Sequence, residues 1–287
     1  MKPDSPQLLD VSGRICVTPP YFALTDLRQT APGEVTASIP VETDPGLQAT
    51  GISLFEAARH LSNLGLAAAS TINRGSGRHY YLANTGDCHW LAPALRPGTP
   101  PTKTLQGHAQ ATFTDSRHAT ARTQLTDGAG TTLARLTVAY DVLSDRLFTH
   151  FFGRPSASTP RLHNPYSQPL PLDDIEFHRH GASAKISVTP ELCAGHFDGY
   201  PALPASVTAA AMTTLIDHLV ARENPSARWR PAAFHFEAAE LAWAGTTMTV
   251  TVTPTARTHT SCTMNCTAQI NDKVVTTTNV DIEVHEC

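Results

Sequence analysis

The sequence predicts an α+β protein in which a long buried helix is wrapped by an antiparallel sheet, and it predicts this unit twice. Three observations lead to that prediction. The 287-residue chain is 41% hydrophobic and only 16% charged, so it can bury a large core. It contains two long helical segments with few charges. Each segment is followed by runs in which apolar residues alternate with threonine, as in strands with one solvated face.

The two helical segments share the same character. Residues 51–70 carry Phe55 and Leu61 among small side chains, and residues 205–222 combine alanines and threonines with a few larger apolar residues. A helix with so few charged residues lacks a solvated face. Both helices are therefore predicted to be buried.

The strand-like runs follow each helix in the same order. They occupy residues 110–114, 120–125 and 131–142 after the first helix, and residues 248–253, 258–270 and 273–284 after the second. A strand is also predicted before each helix, at residues 34–41 and 183–189. This repeated unit is the hotdog arrangement, and the sequence predicts a double hotdog. Two such sheets can pair edge to edge, which removes an exposed edge from each.

A proline-rich segment divides the two units. Residues 153–171 contain five prolines and no apolar periodicity, which is typical of a linker. We therefore expect an N-terminal hotdog domain at 1–152, the linker at 153–171, and a C-terminal hotdog domain at 172–287. The length of 287 residues suits two hotdog folds that are fused in one polypeptide, in place of a dimer of single hotdogs. A monomer of two hotdogs and a homodimer both remain open.

Charge and hydropathy exclude several classes of partner. The net charge of −4 leaves no excess of lysine and arginine to neutralise a phosphate backbone, so no nucleic acid partner is expected. No apolar run reaches the roughly 18 residues of a membrane span, so no membrane partner is expected. The first residues lack a basic segment followed by an apolar core, which predicts a cytoplasmic protein.

The sequence indicates no metal or nucleotide cofactor. Its six cysteines form no CxxC pair and are predicted to be reduced thiols. Cys262 and Cys266 lack a second ligand pair at zinc spacing, so no metal site is expected. No GxGxxG follows a strand, and no P-loop is present.

A short motif stands directly before the second helix. Residues 193–204 read CAGHFDGYPALP and hold His196, Gly199 and Pro204 in the spacing His-Phe-x-Gly-x-Pro-x-x-Pro. This spacing resembles the signature of the 3-hydroxyacyl thioester (acyl carrier protein) dehydratases of the hotdog superfamily. The resemblance covers about ten residues. It implies that His196 is the catalytic base and that Gly199 shapes the loop that holds it.

The same resemblance implies an acid on the helix, six residues after the last proline of the motif. In the second half that position is Ala210, so a base is present without an acid. In the first half, the stretch around Glu56-Ala57 aligns with the family's acid and places Glu42 where the base should stand. We therefore predict one composite site with His196 as base and Glu56 as acid. The second site, with Glu42 and Ala210, is predicted to be inactive.

Further residues are predicted to support this pair. Backbone N–H groups at Gly199 and at a helix start would polarise the thioester carbonyl, and Gly51 marks the helix start of the first half. His60, one helical turn after Glu56, would orient it, although a purely structural role is equally open. Burial is expected to raise the pKa of Glu56, so that it can donate a proton.

Two other features have weaker interpretations. Residues 55–60, FEAARH, also resemble the Glu-Ala-x-Arg-Gln helix of the hotdog family that makes A-factor-type butyrolactone signals. Asp217 and His218 lie late in the second helix and are predicted to be surface residues.

These residues predict an enzyme that acts on acyl thioesters. The first expectation is a 3-hydroxyacyl-ACP or -CoA dehydratase of bacterial polyketide, fatty-acid or related specialised metabolism. The alternative is a thioesterase in which Glu56 activates water with help from His196. A non-catalytic acyl-binding protein is the third interpretation. No cofactor is expected, because the substrate is itself carried on phosphopantetheine or coenzyme A. An acyl carrier protein is a candidate partner. Arg222, Arg228 and Arg230 form a basic cluster after the second helix, for which solvated surface is the favoured interpretation and contact with a pantetheine phosphate the alternative.

Overall fold

The first half of the chain forms one helix-and-sheet unit. The computed structural model describes residues 7–95, 104–153, 163–197, 199–258 and 260–285. The elements of this half are β1 (Gln7–Leu8), β2 (Thr25–Ala31), β3 (Glu34–Pro40), α1 (Leu54–Ile72), β4 (His79–Trp90), β5 (Thr104–Phe113), β6 (His118–Thr126), β7 (Thr132–Ser144) and α2 (Asp145–Phe152).

The second half repeats this succession. Its elements are β8 (Asp173–His178), β9 (Gly181–Ser187), β10 (Ala202–Leu203), α3 (Ala205–Glu223), β11 (Arg228–Ala238), β12 (Ala242–Trp243), β13 (Thr247–Arg257), β14 (Ser261–Ile270) and β15 (Lys273–His285). The two long helices thus begin and end within three residues of the predicted positions. Residues 154–162 of the predicted linker lie outside the described residues.

One antiparallel sheet runs through both halves. Its strand order is β1-β2-β3-β5-β6-β7-β4-β11-β15-β14-β13-β9-β8. Read outward from the centre, the halves have the same order, with β11 in the place of β4 and β15 in the place of β7. The halves meet where residues 85–89 of β4 pair with residues 233–237 of β11. The predicted edge-to-edge pairing is confirmed, and each half covers an exposed edge of the other.

The two long helices form the centre of the core. Leu61 and Leu64 of α1 are fully buried against the first half of the sheet, and α3 packs in the same way on the second half. Burial of one leucine stabilises the fold by about 2 kcal/mol. The helices also pack against each other. In the described part of the chain, no helix is both long and apolar enough to cross a bilayer.

Gly65 sets how closely α1 approaches the sheet. A Cβ at this position would lie 2.5 Å from the Tyr140 hydroxyl and 2.8 Å from Ala121 Cβ. The absence of a side chain lets Tyr140 on β7 donate a hydrogen bond of 2.7 Å to the Ser62 carbonyl.

Candidate active site

Two cavities lie along α1 and α3, and each is lined by residues of both helices. The first, here called the His196 cavity, has a volume of about 70 Å³ and is lined by His196, Tyr21, Tyr81, Ser62, Ser206 and Ala209, among others. The second, here called the Glu56 cavity, has a volume of about 290 Å³ and is lined by Glu56, Arg59, Thr43, Tyr166, Ala210 and Asp217, among others. Phe55 and Ser206 belong to both linings.

His196 is held in one defined orientation. Its Nδ1 atom donates a hydrogen bond of 2.9 Å to the carbonyl oxygen of Ala202, which leaves Nε2 as the basic nitrogen of the neutral ring. Burial lowers the pKa of His196 to about 4. The imidazole is therefore neutral at physiological pH and able to accept a proton.

The loop that carries His196 is fixed by the N-terminal segment that precedes β2. The Thr18 N–H donates to the Gly195 carbonyl at 3.0 Å. Gly195 has a φ of +81°, and a Cβ there would lie 2.2 Å from the Thr18 carbonyl oxygen. Only glycine fits this close approach. In the same loop, Gly199 has a φ of +78°, a backbone conformation that favours glycine.

The starts of the two long helices differ. The N-terminus of α1 is closed by side chains, because Gln48 Oε1 accepts from the Leu54 N–H at 2.7 Å and Ser53 Oγ accepts from the Glu56 N–H at 3.4 Å. The residue before α3 is Pro204, and it makes no side-chain cap. The first residues of α3, Ala205 and Ser206, line the His196 cavity. A helix N-terminus stabilises negative charge that develops beside it.

Glu56 is bound within its own half of the chain. It accepts hydrogen bonds from the Glu42 N–H at 2.5 Å and from Thr43 Oγ1 at 2.6 Å. Burial acts to raise the pKa of Glu56, but the nearby His60 and these hydrogen bonds outweigh it, so the pKa is lowered. The raised pKa expected for an acid is therefore a wrong prediction, because hydrogen bonds to the charged form dominate.

A buried ion pair lies beside Glu56. The Arg59 guanidinium donates to the Glu42 carboxylate, which also accepts from Asn164 Nδ2 at 2.7 Å. His60 Nε2 lies 3.4 Å from Glu42 and 3.8 Å from Glu56, and burial lowers the pKa of this ring. His60 thus lies near both carboxylates, within a network that joins α1 to the segment before it.

One group of side chains in the described part of the chain has ligand atoms spaced for a metal ion. It consists of Glu42, Glu56 and His60, whose ligand atoms all lie within 4.8 Å of one another. The Arg59 guanidinium already pairs with Glu42, and the Glu42 N–H and Thr43 hydroxyl occupy Glu56. The carboxylates are thus satisfied by protein groups, and a cation would have to displace Arg59.

The structure does not bring His196 and Glu56 together. They line different cavities, and no hydrogen bond or ion pair joins them among the described residues. The helix starts give the reason. Ala210 is the sixth residue of α3, whereas the sixth residue of α1 is Arg59 and Glu56 is only the third. The equivalence of Glu56 with the family's acid position therefore fails. Gly51 precedes the cap of α1 and is in neither lining.

Asp217 corrects a prediction from the sequence. It lines the Glu56 cavity and accepts a hydrogen bond of 2.6 Å from Trp229 Nε1, and burial raises its pKa to about 6. The interpretation of Asp217 as a surface residue was wrong, because β11 brings Trp229 against this side of α3. Its neighbour His218 is exposed, as predicted.

The predicted basic cluster is divided among separate contacts. Arg228 donates to the carbonyls of Gly46 and Gln48, and Arg230 forms an ion pair with Glu283. Arg222 lies over the ring of Phe177. These side chains therefore stabilise the fold at three places.

Comparisons with known proteins establish the fold. No protein-family model and no curated protein matches the chain. A putative oleoyl thioesterase from Lactobacillus plantarum is similar with a TM-score of 0.56 and 11% identity, over 88% of this chain and 98% of that one. The 12:0-ACP thioesterase from Umbellularia californica gives 0.56 and 11%, over 89% and 95%.

A third similar structure is a conserved protein of unknown function with the hot dog fold from Alicyclobacillus acidocaldarius. It gives a TM-score of 0.51 and 12% identity, over 91% of this chain and 96% of that one. At identities this low, the similarity shows the fold alone. The chain has an α+β double-hotdog fold, as the sequence predicted.

Proposed function

We propose that this protein hydrolyses acyl thioesters carried on coenzyme A or an acyl carrier protein, with His196 as the general base. The observation that carries the proposal is the hydrogen bond from His196 Nδ1 to the Ala202 carbonyl. It leaves Nε2 as the basic nitrogen of a neutral histidine that lines a cavity at the uncapped start of α3. The fold shared with the thioesterases described above supports the same chemistry.

Hydrolysis is favoured over dehydration by the positions of the carboxylates. Dehydration of a 3-hydroxyacyl thioester needs an acid to protonate the leaving hydroxyl. Glu56 lies in the other cavity and is held ionised. Glu240 is the one carboxylate among the described residues that line the His196 cavity, and it forms an ion pair with Lys273. Hydrolysis needs a base, a water molecule and an oxyanion site.

The mechanism follows from this arrangement. His196 Nε2 takes a proton from water while the water oxygen attacks the thioester carbonyl carbon. The carbonyl oxygen becomes an oxyanion, and the N-terminus of α3 stabilises its charge. The C–S bond then breaks, and the imidazolium returns its proton to the thiolate. The cavity volume of about 70 Å³ leaves room for several water molecules, at about 10–15 Å³ each.

The His196 cavity adjoins an open surface groove. Five residues of its lining also line an open surface groove, namely Leu82, Ala83, Ala238, Glu240 and Leu241. This groove lies where β4 and β11 separate beyond their paired residues, and Phe152 and Trp243 form part of its wall. We assign the groove as the entrance for the thioester arm, with the acyl group directed toward the apolar side chains below it.

The test is a parallel assay of thiol release and enoyl absorbance. Saturated acyl-CoAs, from acetyl-CoA to palmitoyl-CoA, are compared with 3-hydroxyacyl-CoAs. We expect thiol release from a saturated substrate without enoyl formation. His196→Ala should lower kcat by about 10²–10⁴-fold, and His108→Ala, at an exposed histidine far from the cavity, should not change it. Enoyl formation without thiol release would overturn the proposal.

A further inference from the structure

We infer that Tyr21 is a catalytic residue that donates a hydrogen bond to the thioester carbonyl oxygen, with Ser206 as its hydroxyl partner. This inference rests on the proposed hydrolysis at His196 and extends it. Tyr21 belongs to no motif, and it reaches the cavity from the irregular segment before β2.

Contacts on three sides fix the position of Tyr21. Its ring packs edge-on against His196 with 4.8 Å between the ring centroids, and it contacts Tyr166 at 5.6 Å. Its backbone carbonyl accepts a hydrogen bond of 3.0 Å from Asn63 Nδ2. A donor held in this way needs no rearrangement when charge develops on the substrate, which is the condition for electrostatic stabilisation of a transition state.

The Tyr21 ring contacts the base, and its hydroxyl lies at the start of α3. The hydroxyl is 3.2 Å from Ser206 Oγ, and both residues line the His196 cavity. Ser206 can donate to the Tyr21 oxygen while Tyr21 donates to the substrate. Hydrogen bonds in such a chain strengthen one another. Ser206 therefore acts through Tyr21, as a positioning residue.

No proton leaves Tyr21 in this role. Burial raises the pKa of the phenol further above neutrality, so the hydroxyl remains a donor through the cycle. The proton from water goes to His196 and then to the leaving thiolate, and Tyr21 only stabilises the oxyanion between these steps. The proton balance of the proposed hydrolysis is unchanged.

A buried tyrosine outside the cavity provides a matched control. Tyr140 is not among the described residues that line the His196 cavity, and its hydroxyl donates a hydrogen bond of 2.7 Å to the Ser62 carbonyl. Tyr140→Phe removes the same atom from a buried position in the same half of the chain. A general effect of losing a buried hydroxyl would appear in both variants, whereas a catalytic effect would appear only in Tyr21→Phe.

Steady-state kinetics test the inference in the full-length protein. We expect Tyr21→Phe to lower kcat by about 10²–10³-fold with KM within about threefold, and Tyr140→Phe to change kcat by less than about threefold. Ser206→Ala should have a smaller effect, and the double variant should match Tyr21→Phe alone. Equal kcat values for Tyr21→Phe and Tyr140→Phe, in folded proteins that hydrolyse thioesters, would overturn the inference and leave the proposed function intact.

A spectroscopic measurement reads the hydrogen bond without turnover. The probe is a ketone analogue of octanoyl-CoA in which a methylene replaces sulfur and the carbonyl carbon is ¹³C. We expect its carbonyl stretch to fall in frequency on binding to the wild type and to Tyr140→Phe, and to recover in Tyr21→Phe. A bound analogue with the same frequency in all three proteins would overturn the inference. If the wild type neither hydrolyses thioesters nor binds the analogue, both proposals fail.

Discussion

The Glu56 carboxylate accepts a hydrogen bond of 2.5 Å from the backbone N–H of Glu42, 14 residues earlier in the same half of the chain. Its other oxygen accepts from the Thr43 hydroxyl at 2.6 Å. Both oxygens are thus occupied by groups of the segment between β3 and α1. Glu56 fastens this segment to the first turn of the helix, and it does so in its ionised form.

The first prediction follows from this fastening. Glu56→Gln replaces one of the two accepting oxygens with an amide NH₂, which cannot accept the hydrogen bond. We expect the free energy of unfolding to fall by about 1–3 kcal/mol, measured by urea denaturation. The turnover rate for thioester hydrolysis should stay within about threefold of wild type. If turnover instead falls by about two orders of magnitude while stability is unchanged, the acid role that the sequence predicted would be supported.

The second prediction concerns the ion pair of Arg59 with Glu42. The Arg59 side chain is only 3% exposed, and its Nε and Nη1 atoms are buried without a hydrogen-bond partner. Arg59→Met leaves the Glu42 carboxylate without its cation in the interior. We expect a loss of about 3–5 kcal/mol in the free energy of unfolding, because a single buried charge is strongly destabilising.

An exposed pair serves as the control for this prediction. Arg257 and Glu223 form two hydrogen bonds, with side chains that are 60% and 52% exposed. Arg257→Met should cost less than about 1 kcal/mol. Similar decreases in the free energy of unfolding for Arg59→Met and Arg257→Met would show that the buried ion pair stabilises the fold no more than the exposed one.

The sequence predicts strands well where one face of the sheet is buried. The alternation in residues 131–142 and 273–284 gives β7 and β15 within about three residues. The seam strands β4 and β11 were not predicted. β11 contains Pro231 at a shift in register and carries Arg228 and Arg230, so it lacks a regular alternation. Its charges are matched by contacts from distant segments, which a local pattern cannot show.

The sequence can indicate a candidate site residue where a loop motif holds it. His196 was proposed because the glycines and prolines around it occur at a characteristic spacing. Tyr21 was not proposed, because it contacts His196 from 175 positions earlier in an irregular segment. Glu56 was given the acid role from an alignment of a few residues. Its side chain instead accepts hydrogen bonds from the Glu42 N–H and the Thr43 hydroxyl. The positions of these donors depend on the fold of the preceding loop, which the sequence pattern does not show.

The third prediction is the pH dependence of hydrolysis. The general base must be deprotonated, and burial lowers the pKa of His196 to about 4. We expect kcat/KM to be independent of pH from about 5.5 to 8 and to fall below about pH 4.5, as His196 gains a proton. An ordinary histidine would give a decline that begins near pH 6.5. Stopped assays with radiolabelled acyl-CoA measure the profile, and an inflection between pH 6 and 7 would contradict this assignment of the base.

The fourth prediction connects the seam of the sheet to the choice of acyl chain. Gly86 of β4 pairs with Phe236 of β11, and a Cβ on Gly86 would lie 2.2 Å from Phe236 Cε1. The ring must therefore move in Gly86→Ala. Since Phe236 also lines the His196 cavity, the movement changes the shape of that cavity. We expect the free energy of unfolding to fall by about 1–3 kcal/mol and the KM for palmitoyl-CoA to rise more than the KM for acetyl-CoA.

Gly128 provides the comparison, since it lies in the turn before β7, where a Cβ would have no atom within 4 Å and where φ is not positive. Gly128→Ala should leave both stability and chain-length preference unchanged. The strain in Gly86→Ala comes from the Phe236 ring, so Phe236→Leu should restore stability in the double variant. The coupling energy of the two substitutions measures how far the steric clash between these two residues causes the loss of stability. Additive effects of the two substitutions, or an unaltered ratio of KM values in Gly86→Ala, would show that Phe236 does not connect the seam with the acyl cavity.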